Sequence, residues 1–216
     1  MSHARDARAT AQNPDPDGLN NARPSFRDSF FTFKNLSLAI GILVMLLATG
    51  LQLHNQGRLW WCACREFVWT SDAWGSRTSQ TLFDPYSFTH ILHGLLFCGL
   101  GALLIRGMEA RGRFFVALAI ESAWELIENT NTVIDRYREA TAALGYHGDT
   151  VVNSLGDIVC CGIGFMIARR LGWRRSIILF AATEIVLLVW IRDSLLLEII
   201  MLVRPVEAIR VWQMAH

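Results

Sequence analysis

Glu121, Glu125 and Glu128 stand at i, i+4 and i+7 in a run from about Arg113 to Asn129 that is otherwise largely apolar. In a helix this spacing puts three carboxyl groups on one stripe, with Ser122 and Asn129 adjoining it. His90 and His93 are i and i+3 in the uncharged run from about Tyr86 to Ile105, and Asn153 and Asp157 are one turn apart in the run from about Thr150 to Ala168. Two histidines with carboxylates from another helix are ligand types for zinc or a similar divalent ion, and His90, His93 and Glu125 are the expected metal set. A remaining glutamate then serves as general base for bound water. Without metal, Glu125, Glu128, His90, Asp149 and Asn153 form an acid and base set. Arg136 and Arg138 clamp a phosphate or carboxylate of the substrate, and Asp157 helps to bind it. His-x-x-His lacks the glutamate of the H-E-x-x-H helix, so the metalloprotease signature is absent.

The elements that must position these groups are membrane helices. The chain has 216 residues, 52% hydrophobic and 18% charged, with a mean hydropathy of +0.31, which is short of the polar surface a soluble globule needs. A net charge of +1 lacks the basic excess of a nucleic-acid binder, so nucleic acid is excluded as a partner. The expected fold is all-α, a polytopic membrane bundle of about five transmembrane helices. Residues 1–35 are expected to be a disordered cytoplasmic tail, rich in Ala, Arg, Asn, Asp and Pro, and residues 36–216 a single integral-membrane domain. The spans run from Leu36 to Leu53, about Tyr86 to Ile105, about Arg113 to Asn129, about Thr150 to Ala168, and from Ser176 to the interruption at Arg192-Asp193. The segment from Leu195 to Trp212 reads as an interfacial amphipathic helix. Threading the chain through five spans puts 12 of its 20 basic residues on one side, in the tail and in two short arginine-rich turns. That side is expected to be cytoplasmic, with the amino terminus inside, the carboxy terminus outside, and a bacterial inner-membrane location.

Ionisable side chains inside apolar spans cost at least about 2.5 kcal/mol each on insertion scales, so their placement carries information. All of these groups fall toward the expected outer face, where the connection from Thr130 to Asp149 adds Asp135, Arg136, Arg138, Glu139, Tyr146 and His147. Glu121 lies deepest and is expected to pair with a single neighbour. Glu184, near the middle of the fifth span, is expected to join the cluster or pair with Arg192. Gly94, Gly99 and Gly101, and Gly162 and Gly164 after Cys160-Cys161, read as places where helices approach closely. Cys62-x-Cys64 reads as two thiols or an intermolecular link, with no role assigned.

The strings Asp84-Pro85-Tyr86-Ser87-Phe88-Thr89-His90-Ile91-Leu92-His93-Gly94, Glu121-Ser122-Ala123-Trp124-Glu125-Leu126-Ile127-Glu128-Asn129 and Gly148-Asp149-Thr150-Val151-Val152-Asn153-Ser154-Leu155-Gly156-Asp157 resemble an uncharacterised family of bacterial multi-pass inner-membrane proteins, a domain of unknown function. The resemblance covers nearly all of the chain after the tail and implies a location and a fold, but no activity. A more distant resemblance is to VanZ-like membrane proteins, whose core runs from a helix-opening histidine through a glutamate and an Arg-containing loop to D-x-x-x-N-x-x-G. Asp149, Asn153 and Gly156 have that spacing, Glu125 or Glu128 corresponds to the glutamate, and His90 or His93 to the histidine. The loop from Glu128 to Asp149 is longer than in VanZ-like chains. This resemblance implies a cell-envelope role without naming a reaction.

Three functional readings follow. The first is an outward-facing site, with zinc or another divalent metal as its cofactor, that hydrolyses an envelope lipid or lipid-linked precursor. The second is a non-catalytic membrane factor whose polar stripes hold helices in register or bind a partner subunit. The third, a small carrier, is disfavoured because the polar groups sit at one face and no internal repeat is present.

Overall fold

The structure, a computed structural model, describes residues 26–62, 67–141, 143 and 145–215, the stretch 26–33 by its backbone alone. The chain forms two compact units, Met1–Leu36 and Ser37–His216, and the second carries every contact below. Most of the expected tail lies outside the described residues. Its last part, residues 26–35, is helical, because a helix once nucleated by the apolar run extends at little cost through residues of ordinary propensity.

Among the described residues the fold is all-α. Eight helices follow in order: α1 (Phe26–Asn55), α2 (Ser87–Leu104), α3 (Ala110–Glu128), α4 (Asn131–Ala140), α5 (Val151–Leu171), α6 (Trp173–Ile191), α7 (Leu195–Val203) and α8 (Glu207–Met214). Three of them, α1 from Lys34, α2 and α5, are long and apolar enough to cross a membrane. The third and fifth expected spans are helices of similar length, but α3 carries Arg111, Arg113 and three glutamates, and α6 carries Arg174, Arg175 and Glu184. Of the apolar stretch of α5, 67% is buried against 17% for α1, which makes α5 the central helix.

The packing of α2 on α5 sets the frame. A Cβ on Gly94 would fall inside the contact radius of the Cys161 carbonyl oxygen and 2.6 Å from the Phe165 nitrogen, and a Cβ on Gly164 would lie 2.9 Å from the Ile91 carbonyl carbon. The two backbones therefore touch, as small residues allow. Gly99 has open space instead, and Gly101 meets only the Arg113 side chain, so just one of the three glycines of α2 serves this contact. Leu92, Leu95, Ala168 and Leu195 close a core beside it.

The first turn of α5 is held by the loops above it. The N–H groups of Thr150, Val151 and Val152 donate to the carbonyls of Ser79, Leu59 and Trp60, and the Asn153 N–H donates to Thr150 Oγ1. Groups that a helix start leaves unpaired are thus satisfied by residues 59–81. Gly172, at φ 76°, ends α5 in a conformation that suits glycine and turns the chain into α6.

The interruption at Arg192-Asp193 is a true break. Arg192 is left-handed at φ 55°, and Ser194 caps α7 by accepting the Leu197 N–H. Glu184 takes neither expected partner: its Oε2 accepts the Leu196 N–H at 3.3 Å and so helps to cap α7, while Arg192 donates to the Trp212 carbonyl. The single interfacial helix expected from Leu195 to Trp212 is two helices, α7 and α8, parted around Pro205, which lacks an N–H and disfavours helix in the residue before it. Cys62 is disulfide-bonded, where two thiols or an intermolecular link were expected; its Cys64 neighbour lies outside the described residues. Cys98, Cys160 and Cys161 are free thiols.

Candidate functional site

A cavity of about 990 Å³ opens among α2, α3, α4, α5 and α7 and the loops before α2 and α5. Its lining includes the apolar and aromatic side chains of Leu96, Phe97, Ile120, Trp124, Ile199 and Leu202. It also includes six acidic residues, Asp84, Glu128, Asp149, Asp157, Asp193 and Glu198. Arg58 is the one Lys or Arg among the described residues of the lining.

His90 on α2, 7% exposed, is part of this lining. Its Nδ1 lies 2.5 Å from Glu121 Oε1 and 3.4 Å from Glu125 Oε1, and its Nε2 faces Asp157 Oδ2 at 3.9 Å. His93 Nδ1 lies 3.0 Å from each oxygen of Glu121. Glu121 therefore serves two histidines, where a single partner was expected. A buried carboxylate acting as acceptor holds a proton on each Nδ1 and leaves each Nε2 as the lone-pair nitrogen. The stripe on α3 thus divides its work, with Glu121 behind the histidines and Glu128 on the cavity. Glu125 lies between them, 0% exposed, and neither of its oxygens receives a hydrogen bond among the described residues.

The α5 side is tied together by neutral donors. Ser87 Oγ donates to Asp157 Oδ1 at 3.0 Å and accepts the Asp84 N–H. Asn153 Nδ2 donates to the Thr81 carbonyl at 2.8 Å. Asn129 and Asp149 pair reciprocally: Asn129 Nδ2 donates to Asp149 Oδ2 at 2.8 Å, and the Asp149 N–H donates to Asn129 Oδ1 at 2.7 Å. The Tyr146 hydroxyl donates to the second Asp149 oxygen. Burial pushes the carboxyls of Asp84 and Asp149 above the usual range, against the N–H groups of Ser79 and Tyr86 at Asp84 and the side chains of Asn129, Ser79 and Tyr146 at Asp149.

Of the residues expected at the site, His90, His93, Glu128, Asp149, Asn153 and Asp157 line the cavity, and Glu125 stands directly behind His90. The expected ligand set of His90, His93 and Glu125 does not appear as one group. Among the described residues, ligand atoms within 4.8 Å of one another occur instead in two sets, His90 with His93 and Glu121, and His90 with Glu125 and Glu128. Arg136 and Arg138 are outside the lining. Arg136 donates to the carbonyls of Leu202 and Val203, and Arg138 to the Tyr146 carbonyl and toward His147 Nδ1, so both fasten α4 to its surroundings.

Sequence reasoning missed α4 itself, and it missed Arg58, Asp84, Ser87, Asp193 and Glu198. Asp84-x-x-Ser87 at the start of an apolar run and Glu198 inside one were visible signals. Arg58 carried none: its guanidinium reaches the site only through hydrogen bonds to the His147 and Gln56 carbonyls.

Residues 53–215 match a family model described as a protein of unknown function, DUF2585. The chain is 42% identical over 177 residues to a UPF0314 protein of Rhizobium meliloti (strain 1021), covering 82% of this chain and 86% of that one. It is 41% identical over 181 residues to a UPF0314 protein of Sphingopyxis alaskensis, covering 82% and 93%. With a UPF0314 protein of Paracoccus denitrificans it shares 37% over 186 residues, covering 86% and 96%. No solved structure matches. These comparisons show one family and do not show the VanZ-like likeness. The matched stretch holds every helix from α2 to α7 that builds the cavity, and the chain belongs to the DUF2585 family of proteins of unknown function.

Proposed function

We propose that the chain is a multi-pass inner-membrane protein, amino terminus in the cytoplasm, whose cavity opens toward the outer face and hydrolyses an ester or phosphoester of an envelope lipid or lipid-linked precursor. The observation that carries this reading is His90, oriented by buried Glu121 on one nitrogen and standing in a cavity whose lining mixes apolar and polar side chains. Such a cavity suits an amphiphile, and its volume is at the upper end of small-molecule sites.

In the proposed step a water oxygen adds to the carbonyl carbon or phosphorus, and its proton passes to His90 Nε2. The bond to the leaving oxygen then breaks, and that oxygen takes the proton from Nε2. Glu121 favours the imidazolium formed between the two transfers. Arg58, rather than Arg136 or Arg138, is the guanidinium that faces an anionic group. Arginines concentrated at the turns after α2 and α5 support the orientation, since such loops stay in the cytoplasm.

The test is mass spectrometry of a bacterial lipid extract incubated with detergent-purified protein, wild type beside His90→Gln. Consumption of a lipid species by the wild type, reduced by 100-fold or more in the variant, is expected. No species consumed, or equal consumption by both proteins, overturns the reading.

A non-catalytic assembly role is favoured by one observation, the chain of side-chain bonds across helices from Ser87 to Asp157 and from Asn129 to Asp149 and Ser154. Tolerance of single polar substitutions and a stable co-purifying partner are what that role requires.

A further inference from the structure

Glu125 is the side chain that the hydrolytic scheme leaves without a task. It is 0% exposed, both of its oxygens are buried, and neither receives a hydrogen bond among the described residues. An ionised carboxylate in that position costs several kcal/mol unless a cation faces it. No Lys or Arg is within ion-pair distance of it among the described residues, and the nearest basic atom is His90 Nδ1 at 3.4 Å, which already donates to Glu121.

We infer that His90, Glu125 and Glu128 bind a divalent cation. One nitrogen of His90 and one oxygen from each glutamate lie within 4.8 Å of one another, which is the spread of ligand atoms around a single ion. One imidazole and two carboxylates are a donor set for zinc or manganese, with remaining positions for water. The competing set of His90, His93 and Glu121 is spent, because both Glu121 oxygens already accept from histidine Nδ1 atoms. Glu121 has instead the place of an outer carboxylate that orients a metal-binding histidine. Glu128 and His90 line the cavity and supply the entry path. The ion also accounts for a lining that holds six carboxylates and, among its described residues, one arginine, a balance that by itself repels a phosphate. Binding stands on this geometry alone. With the ion in place the His90 lone pair is a ligand and no longer a base, so the metal-bound protein would activate water on the ion instead of through His90; that use rests on the proposed hydrolysis of the same substrate class.

The experiment is metal analysis of the full-length, tag-free protein in detergent, stripped with a chelator, reloaded with zinc chloride and dialysed. About one zinc per chain is expected in the wild type and in His93→Gln. A loss of tenfold or more in affinity is expected in Glu125→Gln and Glu128→Gln, and a 10- to 100-fold weakening in Glu121→Gln. Thermal unfolding of each variant, with Glu184→Gln as a buried-acid control that retains zinc, separates loss of the ion from loss of the fold. No zinc in folded wild type, or zinc retained in folded Glu125→Gln and Glu128→Gln, overturns the inference. Zinc lost in folded His93→Gln but kept in Glu128→Gln assigns the ion to the other set and overturns it equally. A lipid-hydrolysis assay that fails while zinc still binds refutes the reaction and leaves the metal site standing.

Discussion

Replacing Gly94 by alanine tests whether the site depends on direct contact between α2 and α5. The added methyl would sit 2.6 Å from the Phe165 nitrogen and 2.9 Å from the Cys161 carbonyl carbon, where ordinary contact begins near 3.4 Å. The obstructing atoms are backbone, so no side-chain rotation relieves them, and the helices must part by about 1 Å in an interior with little free space. Overpacking of this kind costs about 1–3 kcal/mol. Gly164→Ala meets the Ile91 backbone across the same contact and should cost a similar amount. Once one methyl has parted the helices the second finds room, so the double variant should be less destabilised than the sum of the singles, by about 1 kcal/mol or more. Because α2 carries Ser87 and His90 and α5 carries Asp157, the same shift stretches the 3.0 Å bond from Ser87 to Asp157. Unfolding of the four proteins in detergent, followed by tryptophan fluorescence, measures the cycle. Wild-type stability in Gly94→Ala, or strict additivity in the double variant, would refute the reasoning.

Two further outcomes follow from the polar groups. Burial, set against the Ser194 N–H and the Tyr86 hydroxyl, pushes the Asp193 carboxyl up from 3.8 to about 7. The folded state therefore binds this proton more tightly than the unfolded one. Its contribution to stability is complete below about pH 4 and is lost as pH rises to about 7, roughly 4 kcal/mol at most. Denaturation midpoints between pH 4.5 and 8 should fall for the wild type and fall less for Asp193→Asn; parallel curves would show that another group is responsible. Asn129→Ala removes both halves of the pairing with Asp149 and strands a buried N–H, which should cost about 1–3 kcal/mol in the same unfolding assay; a smaller loss would mean that water replaces the amide.

Much of the site was legible because charge in an apolar run is conspicuous. The periodicity of Glu121, Glu125 and Glu128 placed them on one stripe, and the starts of α2 and α5 fell within a residue of where the apolar runs begin. The residues 131–140 were read as connection because α4 is polar on most of its surface, and it is held by tertiary bonds from Arg136 to the end of α7. Arg136 and Arg138 were reasonable anion ligands by type, but an arginine's reach makes its partner a matter of what stands nearby, and here carbonyl oxygens do.

Periodicity is a local property, decided within one or two turns of chain, so the sequence alone determined the helices, their apolar faces and which side chains share a stripe. Which stripe meets which was decided where Gly94 meets the backbone of Cys161 and Phe165 and Gly164 meets that of Ile91, a packing choice between residues far apart in the chain. That contact brings His90 of α2 within 3.9 Å of Asp157 of α5 and sets it against Glu121 of α3, leaving Glu125 behind it. Three similar glutamates on one helix thereby come to occupy three different environments, and spacing along a single helix carries no information about the neighbours that make them differ.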